Sequence, residues 1–201
     1  MKNAALFSSI IAIFLAYLAF TYIIPYPTKE TTAAAQRSIS SNSDQNDSDG
    51  DNENELSTYS NPELGFRLRY PNDFLISEVS NTPQSKTIVF QKVQFAPETG
   101  AFLSVNSTKW ERVITLDELK KIMTDTIREG PGISIQDIDT VNISGVPGYK
   151  IVQNYSNSPY GKDATAVFIG AVRDNTIYML SSMSTDPESL QEMIDSFEFT
   201  R

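Results

Sequence analysis

Asp137 and Asp139 stand two residues apart in a stretch that alternates like a β-strand, so both carboxylates fall on one face. Adjacent carboxylates can hold a divalent cation, calcium above all. They can also work as an acid–base pair once burial separates their pKa values. A second acidic group, Asp47, Asp49 and Asp51, lies within the run 44–55. With Gly50 at the sixth position of a calcium-loop pattern, Gln45 falls at the first and Leu56 at the twelfth, so both terminal ligands fail. These five aspartates are the metal candidates; the plain reading of each is a solvated carboxylate.

The chain has neither histidine nor cysteine. Zinc, haem and iron–sulfur sites of the usual kinds are therefore excluded, as are Ser-His-Asp triads and Cys-His dyads. Gly161 and Lys162 do not complete a phosphate loop, because Ser156 occupies the position that needs the upstream glycine. No catalytic residue and no cofactor is assigned. Trp110, the single tryptophan, is an interface anchor if exposed and ordinary core if it packs at a strand end before a helix. Tyr155 and Tyr160 flank a loop at the far end of an expected hairpin, where binding residues often sit. Asn46, Asn106, Asn142 and Asn154 begin Asn-x-Ser/Thr sequons and are glycan acceptors only outside the cytoplasm of a glycosylating host.

The elements that must position these residues follow from pattern. Phe66, Leu68 and Tyr70 alternate with Arg67 and Arg69, which predicts a strand over 66–70. Further strands are expected at 74–79, 86–95, 101–108, 133–143, 149–155, 164–173 and 176–183. Asp174 and Asn175 make a hairpin turn, and Val146-Pro147-Gly148 reads as a type II turn. Thr115 and Glu118 form a capping box for a helix carrying Leu116, Leu119, Met123 and Ile127, ending near Glu129. A last helix opens near Pro187 and presents Leu190, Met193, Ile194 and Phe197 on one face. Strands outnumber helices and most connections are short, the pattern of an α+β domain with a mainly antiparallel sheet.

Upstream, residues 4–24 are apolar and uncharged. As a helix they would span about 30 Å, the hydrocarbon thickness of a bilayer. Pro25 and Pro27 stop that helix, and the nearest small-residue triplet, Ala33-Ala34-Ala35, lies far downstream for cleavage, which favours a retained signal anchor over a cleaved signal peptide. The short N-terminus with Lys2 stays inside and the rest of the chain lies outside. Residues 28–57 are polar and acidic, a disordered tether of roughly 30 Å r.m.s. span. Three parts result: an anchor over 1–27, a tether over 28–57 and a globular domain over 58–201. The formal net charge of −9 gives no phosphate-binding surface and makes nucleic acid an unsuitable partner.

The motif order resembles the PsbP family. Tyr59, Asn61, Gly65-Phe66, Tyr70-Pro71 and Phe74 open it; Thr115-Leu116-Asp117-Glu118-Leu119 follows. Gly145, Pro147-Gly148-Tyr149-Lys150 and Met193-Ile194-Asp195-Ser196-Phe197 close it. The likeness extends to prokaryotic PsbP-like lipoproteins and anchored domains and covers about residues 58–201. It implies an α-β-α sandwich around a central antiparallel sheet. It also implies interaction in place of catalysis: photosynthetic members support the oxygen-evolving complex and its calcium and chloride retention, and relatives act in assembly or bind the GTPase Ran. No binding residue is carried over, since this chain has no histidine to serve as a metal ligand.

The expectation is a non-catalytic, membrane-tethered, extracytoplasmic module that binds an unidentified protein or helps assemble a complex. A small-ligand or calcium-binding protein is the second reading and a carboxylate-based hydrolase the third.

Overall fold

The computed structural model describes residues 56–82, 84–92, 101–127, 129–156, 163–184 and 188–200. The 4–24 stretch and nearly all of the tether lie outside the described residues. Among the described residues no helix is long and apolar enough to cross a membrane.

The chain order is β1 (Leu56–Asn61), β2 (Phe66–Pro71), β3 (Phe74–Thr82), β4 (Ser85–Lys92), β5 (Ala101–Lys109), α1 (Leu116–Thr126), β6 (Ile133–Ile143), β7 (Val146–Tyr155), β8 (Ala164–Arg173), β9 (Thr176–Ser184), α2 (Glu188–Asp195) and β10 (Glu198–Phe199). Seven strands make one antiparallel sheet in the spatial order β3-β4-β5-β9-β8-β7-β6. The other three form a small antiparallel sheet, β1-β2-β10.

Strand alternation assigns the layers. In β8, Ile169 and Ala171 belong to the core that holds Leu190, Met193 and Phe197, while Gly170 between them faces Leu119 and Met123 of α1. The two helices therefore cover opposite faces of the large sheet. The small sheet joins α2 on its side. Phe66 stacks on Phe197 with ring centroids 5.4 Å apart, Tyr59 and Tyr70 pack on Phe90, and the Tyr178 hydroxyl donates to the Leu64 carbonyl at 2.8 Å. The expected sandwich of helices about an antiparallel sheet is what the chain forms, with a three-stranded sheet added to one outer layer.

Helix α1 starts as its capping box requires. Thr115 Oγ1 accepts from the Glu118 amide at 3.2 Å, and Glu118 Oε2 accepts from the Thr115 amide at 3.0 Å. That amide first, and then Arg112, hold the Glu118 carboxyl below the ordinary glutamate range. The helix stops earlier than periodicity predicts. Ile127 leaves it in an extended conformation and turns into the core, because Gly130, Pro131 and Gly132 must reverse the chain into β6.

The β6–β7 turn also differs from expectation. Ser144 and Gly145 carry it, with φ of 50° and 85°, while Val146, Pro147 and Gly148 open β7. Two positive-φ residues match the twist of a tight hairpin, as Asp174 and Asn175 do between β8 and β9. Pro147 is tolerated because pairing of β7 to β8 begins only at Gly148. At the entrance of the domain, β1 begins at Leu56, two residues inside the segment read as tether.

Candidate interaction surface

The large sheet has two edge strands, β3 and β6, and β6 carries the paired aspartates. Asp137 pairs with Val152 and Asp139 with Lys150 of β7, so the two carboxylates share one face as the period of two requires. Asp137 raises the Asp139 carboxyl above the ordinary aspartate range, first through a side-chain hydrogen bond and then through charge repulsion; Lys150 pulls the other way. Both are exposed, which rules out the buried, strongly separated pair that acid–base work needs. Two carboxylates also fall short of the six to eight oxygens that calcium takes. Among the described residues no three metal-ligating side chains converge. Asp47, Asp49 and Asp51 lie outside the described residues.

The hydrogen-bond phase of β6 follows from its turn. Ile143 and Val146 close the two-residue hairpin, so the amides of Asp137, Asp139, Val141 and Ile143 face β7, and those of Ile138, Thr140 and Asn142 point away. The Ile138 amide is bonded by Asp137 Oδ1 at 2.9 Å. Upstream, the register slips between Ile135 and Asp137, and Gln136 is the bulged residue. There the outer side of the strand is already covered: Gly130 bridges to Ile133, and Glu129 Oε1 accepts from the Ile135 amide at 3.3 Å. Among the described residues the open part of the edge is thus Ile138–Asn142. On the face opposite the aspartates it shows Ile138, which is 40% exposed and one of two large hydrophobic side chains so exposed among the described residues.

The other expected site residues do not gather there. Trp110 follows β5 and is half-buried; its amide donates to the Asn175 carbonyl at 2.8 Å and Arg112 lies 5.7 Å from its ring centre. Its Nε1 is buried and has no hydrogen-bond partner among the described residues. Tyr155 ends β7 at the opposite end of the sheet, roughly 30 Å away at 3.3 Å per residue. Its hydroxyl donates to Gln153 Oε1 at 3.0 Å, and burial raises its pKa. Trp110 and Tyr155 cannot share one patch. Tyr160 lies outside the described residues.

The sequons separate in the same way. Asn106 sits inside the sheet, where its amide nitrogen donates to Thr87 Oγ1 at 2.9 Å and Ser85 Oγ at 3.2 Å, so it is not free in the folded chain. Asn154 is exposed and bonds Gln136 and Thr165. Asn142 is exposed at the β6 turn, where its Oδ1 accepts from the Gly145 amide at 2.8 Å. Asn46 lies outside the described residues. Sequence reading missed the acidic capping of the edge by Glu129 and Asp137; the only signal was the density of acids around an expected strand.

A seven-stranded antiparallel sheet between two helices defines an α+β sandwich domain. The chain belongs to the PsbP-like protein family, whose model matches residues 8–199. Among solved structures it is similar to cyanobacterial PsbP (CyanoP) from Synechocystis sp. PCC 6803, at 15% identity and a TM-score of 0.51, over 77% of this chain and 98% of that one. It is also similar to LpqN, involved in cell envelope biogenesis of Mycobacterium tuberculosis, at 17% identity and a TM-score of 0.46, over 73% of this chain and 91% of that one. Comparison with curated proteins gives no match.

Proposed function

We propose that the chain is a membrane-anchored, non-catalytic module whose folded domain lies outside the cytoplasm and binds a protein in assembling or stabilising a complex. The observation that carries this reading is the β6 edge, open from Ile138 to Asn142 among the described residues, with outward backbone groups beside a charged face and an exposed Ile138. Membership of a family whose common thread is interaction supports it. The uncharged, apolar 4–24 stretch supports the anchor. Crosslinking and co-purification of the full chain from native membranes tests the reading. A stoichiometric protein partner is expected. Absence of any partner, or turnover of a substrate by the purified chain, would overturn it.

A further inference from the structure

Resting on that reading, we propose that Ile138–Asn142 of β6 takes an extended, basic segment of the partner as an added strand, one in which Lys or Arg alternates with apolar residues. Three features of the edge specify that chemistry. Strand addition needs outward-facing backbone groups, and the amides of Thr140 and Asn142 supply them. Side chains of an added strand alternate between the two faces of the sheet. Those on one face would lie beside Asp137, which has Val152 opposite it on β7, and Asp139, which has Lys150, and those on the other beside Ile138. A basic–apolar–basic triplet therefore meets an acid on each side of an exposed isoleucine.

A second copy of this chain is the wrong occupant. Two β6 strands paired about a two-fold through Thr140, the centre of the open edge, would set Asp139 against the other copy's Val141, so neither acid would meet a base. A basic strand gives both acids a partner that a like strand does not. The upstream half of β6 cannot take part, because Gly130 and Glu129 already occupy its outer side.

The test uses the full chain in detergent and a labelled ten-residue peptide alternating lysine and valine, followed by fluorescence anisotropy. Controls are the same residues in block order and the alternating peptide N-methylated on every second amide. The expected result is binding of the alternating peptide alone. Thr140→Pro, which removes an outward amide and no bond to β7, weakens it about tenfold. The Asp137→Asn/Asp139→Asn double variant weakens binding and lowers its salt dependence. Equal binding of the block or N-methylated peptide, no binding at millimolar peptide, or no effect of Thr140→Pro would overturn the proposal. So would a dimer of the chain at neutral pH that Thr140→Pro dissolves. If membranes carrying Thr140→Pro still yield the crosslinked partner, the edge assignment fails and the binding-module reading stands. If the unaltered chain yields none, the module reading itself fails.

Discussion

The centre and the edge of the large sheet are built from strands of similar length with opposite surfaces. β5 lies between β4 and β9, and Leu103 and Val105 are fully buried in it while Phe102 is buried on the other face. β6 has one neighbour, and most of its positions are exposed. Both follow the period of two, yet in β5 both faces meet other layers, whereas in β6 one face meets water and carries acids. The difference divides labour: the centre holds the domain together, and the edge is free to change its residues without unfolding it.

That division can be broken most severely with proline. Val105→Pro should leave no cooperative thermal transition, since it removes a ladder bond and clashes in a doubly flanked strand. Thr140→Pro on the edge should melt within a few degrees of the parent chain, because its amide bonds nothing in β7. Equal damage from the two would erase the distinction. Next in size, Leu180→Ala should lose about 2–5 kcal/mol in denaturant unfolding, as a fully buried side chain of the core. Ile138→Ala should lose less than about 1 kcal/mol.

Smaller again, Thr115→Ala should lose about 1 kcal/mol by deleting the hydroxyl that accepts from the Glu118 amide. The Glu118 carboxyl has a lowered folded pKa, so its contribution is complete above the ordinary glutamate range and is lost as pH falls through the lowered value. Glu118→Gln should remove that acid-side loss from the stability–pH curve. The least effect is at the edge. Asp139 has a raised folded pKa, so its ionisation opposes folding as pH rises through that range. Asp137→Asn keeps an acceptor for the Ile138 amide and should make the chain slightly more stable at neutral pH, with no gain once both acids are protonated. Denaturant midpoints across pH would check both.

Much of the centre was legible because its signals are local. The alternation over 66–70, the capping box at Thr115 and the Asp174-Asn175 turn each fix their own geometry within a few residues. β1 was missed because Leu56 and Ser57 close the polar stretch read as tether and the residues from Tyr59 read as a turn; Tyr59, packed against Phe66 and Phe90, is what draws the strand onto the domain. β10 has two residues and exists only because β2 pairs with it. The β6–β7 turn was misread because Pro147 and Gly148 fit a turn by type, and only the positive φ at Ser144 shows where the chain reverses. Phe197 lies just past α2 yet still reaches the core, so its burial was legible where its element was not.

At the candidate site, the shared face of Asp137 and Asp139 was legible, since the bulge at Gln136 falls before both. That β6 is an edge was not, because spatial order comes from how distant strands pair. The separation of Trp110 from Tyr155 was hidden for the same reason.

Amide hydrogen exchange on the full chain, with and without the alternating lysine–valine peptide, tests the central claim most directly. The account predicts fast exchange at Thr140 and Asn142 in the free protein, slow exchange at Asp139 and Val141, and protection of the first two on peptide addition. Slow exchange at Thr140 and Asn142 in the free protein, or protection that appears on α1 and leaves β6 unchanged, would contradict it.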